Sequence, residues 1–232
     1  VSFFSLLFLM TNSVLGAEDL TQSVFEECDL FPRVEVRQRC YRENLSAIMR
    51  KEGTVTALQV LEHLARLDLH IRRNAHPYAH HLGRKSFDYY KNSEKAFDQC
   101  GPSFWSGCFH GVLESYVLSW REASATKINR VCTEEIGALK SAFTQYQCLH
   151  GLGHGLTVRF GYDLSRALTS CDALASEWER QSCHSGVFME NVVAFLEPGH
   201  SHRDHMGGLG DPVRNLLRPE DPHYPCNAIG DA

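Results

Sequence analysis

Hydrophobic positions recur at helical spacing along most of the chain. The segment 54–73, TVTALQVLEHLARLDLHIRR, carries leucines three and four residues apart, the spacing of an amphipathic helix. Further apolar-periodic segments cover 104–122, 141–160 and 176–196. The best candidate for a β-strand, ENVVAFLEP, continues a helical pattern. The pattern therefore predicts an all-α fold.

Shorter helical segments precede the longer ones. SEKAFDQC begins with Ser93 and DLSRALTSC with Asp163, and serine and aspartate are both favoured as N-caps. These segments end in Cys100 and Cys171. We predict short helices that end at a cysteine, each followed by a longer helix that carries the next cysteine.

The nine cysteines, taken in order, form four closely spaced pairs and leave Cys226 over. The separations are 12, 8, 16 and 12 residues. The alternation of cysteine and histidine also allows the cysteines to be metal ligands, but no C-x-x-C pair of the kind found in structural zinc sites occurs. We therefore predict disulfides between Cys28 and Cys40, Cys100 and Cys108, Cys132 and Cys148, and Cys171 and Cys183.

The second cysteine of each later pair opens a similar phrase. The phrases are CFHGVLESYV, CLHGLGHGLT and CHSGVFMENV, and YAHHLGRKSF is a related phrase without cysteine. Their starts are 30, 40 and 35 residues apart, the size of a helical hairpin repeat. This predicts stacked helical hairpins, in a solenoid or toroid-like repeat array stapled by disulfides. The unit size resembles tetratricopeptide and Sel1-like solenoids, whose consensus residues are absent.

The two ends of the chain differ from the helical part. Residues 1–17, an apolar run followed by small residues, are predicted to be a signal peptide. Residues 18–196 form the predicted α-helical repeat domain, and residues 197–232 form a Pro/Gly/His-rich loop or tail. The missing basic start and the leftover Cys226 predict a sequence truncated at both ends. A signal peptide and disulfides together predict an exported protein, periplasmic or extracellular.

Charge and motifs exclude several classes of function. The net charge of −5 argues against nucleic-acid binding, and no apolar segment long enough to form a transmembrane helix is expected in the mature chain. The sequence contains no G-x-S-x-G, H-E-x-x-H or P-loop motif. A serine or cysteine hydrolase is therefore not supported.

The repeated phrases align histidines in one column. That position holds His80, His110, His150 and Ser185, and the position four residues later holds Arg84, Glu114, His154 and Met189. Residues i and i+4 share one face of a helix, so His150 and His154 can both bind one divalent transition-metal ion such as zinc. We predict that the metal ligands are His80, His110, His150, His154 and His184.

Two polar residues of the same helices are candidates for catalysis. Glu114 is a candidate metal ligand or general base, and Arg84 is a candidate partner for an anionic substrate group. His76 precedes Pro77 and is predicted to be a helix N-cap with proline at the first helical position.

The repeated C-x-H-G phrase also allows a purely architectural interpretation. Glycine lets two helices touch, and histidine can bond to the neighbouring hairpin. The position four residues after the histidine nevertheless changes from Arg to Glu to His, as an asymmetric chemical site requires. Two hypotheses follow: a metal-dependent, hydrolytic enzyme with a histidine-lined concave site, or a non-catalytic scaffold that binds a peptide, protein or cell-envelope ligand on its concave face.

Overall fold

The computed structural model describes residues 16–136, 141–196, 217–221 and 223–229. These residues form helices and contain no β-strand; one isolated bridge joins Arg218 and Asp221. The all-α prediction is therefore confirmed. None of the helices in the described ranges combines the length and the apolar character that crossing a membrane requires. The first fifteen positions of the predicted signal peptide lie outside the described residues.

The helices follow one another with short connections. Their bounds are α1 Ala17–Asp29, α2 Val34–Glu52, α3 Thr54–Leu67, α4 Leu69–Tyr90, α5 Ser93–Asp98, α6 Gly107–Ser119, α7 Ala125–Arg130, α8 Ala142–Arg159, α9 Leu164–Cys171, α10 Glu177–Leu196 and α11 Cys226–Ile229. A single 3-10 turn, Phe104–Ser106, precedes α6, and a π-helical turn, Val131–Glu135, follows α7.

The four predicted disulfides are confirmed. Cys28–Cys40 joins α1 to α2, and Cys100–Cys108 joins the second residue after α5 to α6. Cys132–Cys148 joins the π-helical turn to α8, and Cys171–Cys183 joins α9 to α10. Cα atoms of the partners lie 5.5 to 5.8 Å apart. The bridges close loops of 8 to 16 residues, for which each bridge is expected to stabilise the fold by about 2–4 kcal/mol.

The longer helices pack in chain order. The most extensive contacts join α4 to α6, α6 to α8 and α8 to α10, while α5 and α9 pack beside the helices that follow them. One hydrophobic core lies among α1 to α4, and a second lies among α5 to α10. The sequential packing places the repeated phrases side by side, because each phrase lies on one of these longer helices.

The contact between α4 and α6 is so close that only glycine fits at its two crossing points. A Cβ atom on Gly83 would lie 2.1 Å from the Cys108 carbonyl oxygen. A Cβ atom on Gly111 would lie 2.0 Å from the His80 carbonyl oxygen. These separations are far inside van der Waals contact, so the backbone of each helix touches the other directly.

The contact between α8 and α10 repeats this arrangement. A Cβ atom on Gly153 would lie 2.1 Å from the Cys183 carbonyl oxygen, and one on Gly186 would lie 1.9 Å from the His150 carbonyl oxygen. Three glycines within α8 each cost about 1 kcal/mol of helix propensity relative to alanine. A capping box between Ser141 and Thr144 and the close packing on α10 offset that cost.

Helix α4 begins earlier than the sequence predicts. The Asp68 carboxylate accepts hydrogen bonds from the backbone N–H groups of His70 and Ile71, so Asp68, not His76, is the N-cap. The predicted N-cap role of His76 is therefore wrong. The helix bends at Asn74, where φ and ψ are −115° and 16°, and Pro77 lies in the first turn after the bend, where its missing N–H costs least.

Two other predicted helix starts can be compared with the structure. Asp163 caps α9, as predicted, by accepting from the Arg166 N–H. The cap of α5 is Asn92 and not Ser93, a difference of one residue.

The predicted tail is described only near its end. Residues 197–216 lie outside the described residues. Ile229, in the short helix α11, packs against the core among α5 to α10. This part of the tail therefore contacts the helical domain.

Candidate metal centre

Five imidazole rings from three helices meet in the interior. They belong to His76 and His80 on α4, His110 on α6, and His150 and His154 on α8, and adjacent ring centroids lie 4.5 to 5.2 Å apart. His76 is half-buried, and the other four are between 0 and 7% exposed. The packing of α4 on α6 and of α6 on α8 creates this five-histidine centre.

The ring nitrogens inside the centre have the spacing of ligands on one ion. Nε2 of His76 lies 3.0 Å from Nε2 of His80, which lies 3.3 Å from Nδ1 of His110. Nε2 of His150 and Nε2 of His154 are 3.2 Å apart. Two nitrogens bound at about 2.1 Å to one tetrahedral ion are about 3.4 Å apart. The observed distances match that separation.

Two buried carboxylates orient two of the rings. His80 Nδ1 donates to Glu114 Oε1 over 2.6 Å, and His154 Nδ1 donates to Glu190 Oε2 over 2.8 Å. The other oxygen of Glu114 accepts from Arg84 Nη1 at 2.8 Å, and the other oxygen of Glu190 accepts from the Tyr162 hydroxyl at 3.0 Å. Carboxylates that hold histidines in this way are typical of metal sites.

The remaining three rings are held in the same manner by oxygen atoms. Ser185 Oγ donates its own proton to the Ser182 carbonyl and so accepts from an imidazole. The contacts are His76 Nδ1 to the Phe104 carbonyl at 2.7 Å, His110 Nε2 to Gln147 Oε1 at 3.0 Å, and His150 Nδ1 to Ser185 Oγ at 2.8 Å.

These contacts fix the tautomer of each ring. A carboxylate or carbonyl oxygen only accepts, so the imidazole proton lies on the nitrogen that faces it. The opposite nitrogen then carries a lone pair, and in all five rings that nitrogen faces the interior of the centre.

Burial also favours the neutral form of four of these imidazoles, by lowering their pKa values. Desolvation, followed by the neighbouring histidine His80, lowers the pKa of His76 to about 3. Desolvation and the nearby His154 lower the pKa of His150 to about 3. Desolvation likewise lowers the pKa values of His80 and His110. Neutral imidazole is the form that binds metal ions.

The structure contains three overlapping sets of possible metal ligands within the described residues. They are His76, His80 and His110; His110, His150 and His154; and His80, Glu114 and His154. The ligand atoms of each set lie within 4.8 Å of one another. Any two of these sets share one histidine, which is His80, His110 or His154. The three sets therefore form one continuous centre.

Four of the five predicted metal ligands come together here, and one does not. His184 lies elsewhere, with Nε2 3.0 Å from Asp172 Oδ1 and 3.3 Å from the Leu168 carbonyl oxygen. On the helix α10 it directly follows Cys183 and points away from the face that carries Glu190.

The two predicted catalytic residues contact each other. Arg84 forms an ion pair with Glu114, whose side chain has no solvent exposure. The expected role of Arg84 toward a substrate anion gains no support, because the guanidinium donates to this internal carboxylate. The geometry instead makes Glu114 a residue that positions His80.

The site is buried and not on an open concave face as we expected. Its half-buried edge is His76, whose ring centroid lies 6.0 Å from that of Trp105, a residue that is 82% exposed. Phe104, Trp105 and Ser106 have φ of 54°, 52° and 65°. Non-glycine residues in this region are strained, and such residues cluster at functional sites.

The place of His76 in the centre, and the contacts of Gln147 and Ser185 with imidazoles, were not predicted from the sequence. The segment HPYAH places His76 and His80 four residues apart, as His150 and His154 are, so the same spacing could have identified it. Gln147 and Ser185 carry no comparable signal, because their role depends on a neighbouring helix.

Comparison with known proteins adds no assignment. No protein-family model matches the chain, and no curated protein or solved structure matches it. Function must therefore be argued from the site itself.

Proposed function

We propose that this is an exported metal-binding protein whose five-histidine centre holds a transition-metal ion. The observation that carries the proposal is the convergence of imidazole lone pairs at 3.0 to 3.3 Å, with every opposite ring nitrogen engaged by an oxygen atom. The four disulfides support a location outside the reducing cytosol.

A cation accounts for a contact that is otherwise unfavourable. His76 and His80 direct Nε2 lone pairs toward each other over 3.0 Å, because both protons lie on Nδ1. Two facing acceptors without a donor repel, and in a buried site water screens that repulsion little. A metal ion between the nitrogens converts the repulsion into two coordinate bonds.

The ligand type indicates the class of metal. Imidazole nitrogen suits zinc, copper, nickel and iron, whereas magnesium and calcium take oxygen ligands. The centre offers imidazole nitrogens toward its interior, and its carboxylates Glu114 and Glu190 bond to imidazoles. We therefore expect transition-metal binding without a comparable affinity for magnesium or calcium.

The test is metal content and metal titration of the oxidised protein. Wild type is expected to hold near-stoichiometric transition metal, and His150→Ala/His154→Ala is expected to hold none. His184→Ala is the matched control, because it removes a histidine outside the centre and should retain the metal. Circular dichroism confirms that each variant is folded. A folded wild type that binds no transition metal would contradict the proposal.

Metal-dependent hydrolysis is a second candidate. The observation that favours it is the half-buried His76 beside the exposed Trp105, which gives one edge of the centre access to solvent. A catalytic zinc site has three protein ligands and an open position. Metal-loaded wild type would then hydrolyse activated esters or phosphodiesters, and the metal-free protein would not. Equal rates with and without metal would exclude this candidate.

A further inference from the structure

We infer that the metal taken by the five-histidine centre is copper in the cuprous state, with the Met189 thioether as a ligand on the solvent side. This inference rests on the proposed function and specifies its metal. Met189 lies on α10, beside the His150 imidazole of α8.

Met189 is placed as a ligand to the same ion as His150. Its sulfur lies 3.4 Å from His150 Nε2, the nitrogen that also faces His154. A nitrogen and a sulfur bound to one tetrahedral ion at about 2.1 and 2.3 Å are about 3.6 Å apart. The observed distance is close to that value.

The contact is not explained as a hydrogen bond. The proton of His150 lies on Nδ1, which donates to Ser185 Oγ, so Nε2 carries a lone pair. The thioether sulfur of Met189 also has lone pairs and no proton. Both atoms are acceptors, and a soft cation between them satisfies both.

Packing alone does not explain the exposure of this methionine. Met189 is 39% exposed, although its sulfur touches a histidine that is only 3% exposed. A side chain placed for apolar burial would turn its sulfur and methyl group into a core. Here the thioether connects the buried imidazoles to the surface.

Glu114 on α6 is the residue that corresponds to Met189 on α10, and the two side chains differ in ligand chemistry. Met189 lies four residues after Ser185, as Glu114 lies four residues after His110. The carboxylate of Glu114 offers hard oxygen atoms, and it accepts a hydrogen bond from the His80 ring nitrogen that faces away from the centre. The replacement of a carboxylate by a thioether at this position changes a hydrogen-bond acceptor into a soft ligand.

The donor set therefore selects among the transition metals. Thioether sulfur selects Cu(I), and imidazole also suits copper. Zinc takes nitrogen, oxygen and thiolate ligands, so it does not use a thioether well. The combination of neutral imidazoles and one thioether favours Cu(I) over Zn(II).

The experiment compares Cu(I) and Zn(II) in wild type, Met189→Leu and Met49→Leu. Met49→Leu is the matched control, since Met49 is a buried residue of α2 in the other core. Cu(I) affinity is measured anaerobically by competition with a chromogenic Cu(I) chelator, and Zn(II) affinity by competition with a zinc chelator. Copper-edge X-ray absorption reports whether sulfur is bound.

We expect a copper–sulfur distance of about 2.3 Å in wild type and in Met49→Leu. In Met189→Leu we expect loss of that signal and a Cu(I) affinity at least about tenfold lower, in the range for disturbed metal sites. Zn(II) affinity should change by less than about threefold. Because Met189 is partly exposed, the leucine variant is expected to fold.

The outcomes separate the two proposals. Binding of Zn(II) and Cu(I) without a sulfur signal, and with equal Cu(I) affinity in wild type and Met189→Leu, overturns the copper inference and leaves the metal-binding function in place. Binding of no transition metal by folded wild type overturns both.

Discussion

The helix pairs α4–α6 and α8–α10 have the same backbone contact and different side chains at the site. In each pair the carbonyl of a histidine lies against a glycine of the next helix: His80 against Gly111, and His150 against Gly186. In each pair a disulfide also ties the second helix to a cysteine at, or two residues beyond, the end of the short helix before it. The two pairs therefore share one packing design.

The polar positions of the two pairs are not the same. Where the first pair has Arg84, His110 and Glu114, the second has His154, Ser185 and Met189. The glycines of the C-x-H-G phrase act in packing, and the varied positions surround the five-histidine centre. The architectural interpretation of the phrase thus applies to its glycines, and the functional interpretation that we propose applies to its polar positions.

The largest loss of stability is expected at the glycine contacts, where the two helix pairs are most alike. Gly111→Ala and Gly186→Ala would each place a methyl group about 2 Å from a carbonyl oxygen, so the helices must separate. Overpacking of a core side chain costs 1–3 kcal/mol, and a backbone collision is more severe. We expect a loss of at least about 3 kcal/mol in each, or failure to fold, measured by urea denaturation.

Gly101→Ala is the control for this prediction. A Cβ atom on Gly101 meets nothing within 4 Å, so this substitution should change the free energy of unfolding by less than about 1 kcal/mol. A large effect at Gly186 and none at Gly111 would show that the two helix contacts are not equivalent.

The disulfides of the two helix pairs are expected to contribute similar amounts of stability. Removal of Cys100–Cys108 or of Cys171–Cys183 by paired alanine substitutions should lower the free energy of unfolding by about 2.5–3 kcal/mol in either case, because the loops are of similar length. Chemical denaturation measures both. Losses that differ by more than about 2 kcal/mol would contradict the shared design.

The carboxylates of Glu114 and Glu190 test whether both helix pairs orient an imidazole for metal binding. Glu114→Gln and Glu190→Gln each weaken the acceptor that holds an imidazole, so metal affinity should fall by about 10–100-fold. Glu114→Gln should also lower stability, because Arg84 loses its charged partner. Chelator competition measures the affinity. Asp172→Asn, which alters the contact of His184, should leave it unchanged.

The smallest loss of metal affinity is expected when the Ser185 hydroxyl of the α8–α10 pair is removed. Ser185→Ala removes the acceptor of His150 Nδ1, but the Tyr146 hydroxyl lies 3.4 Å from the same nitrogen and can replace it. Metal affinity should fall by less than about tenfold. Ser170→Ala on α9 is the matched serine control. A hundredfold loss for Ser185→Ala would show that Tyr146 does not compensate.

The fold was largely predictable because its signals are local. Helical periodicity, N-caps such as Asp163 and the ordered spacing of cysteines all act over a few residues. The same holds for His150 and His154, which share a helix face by spacing alone. These features need no knowledge of which helices are neighbours.

Contacts that depend on tertiary packing could not be predicted from the sequence. His184 lies one position before Ser185, the residue of the aligned column, and the packing of α9 beside α10 places Asp172 against its ring. The contact of Arg84 is an example, because the sequence does not show that α6 brings Glu114 within 2.8 Å of it. His76 was assigned to a cap because a proline follows it, whereas Asp68 starts the helix earlier.

The short span of each disulfide determines the order in which the protein can mature. The eight cysteines that form disulfides allow 105 pairings among themselves, and the observed pairing joins neighbours along the chain, at separations of 8 to 16 residues. A chain that emerges N-terminus first therefore presents each cysteine with its correct partner before a competitor appears. The histidines of the centre, from His76 to His154, span far more of the chain. Oxidation can consequently be complete segment by segment, and the metal capture that we propose would be the last step of maturation.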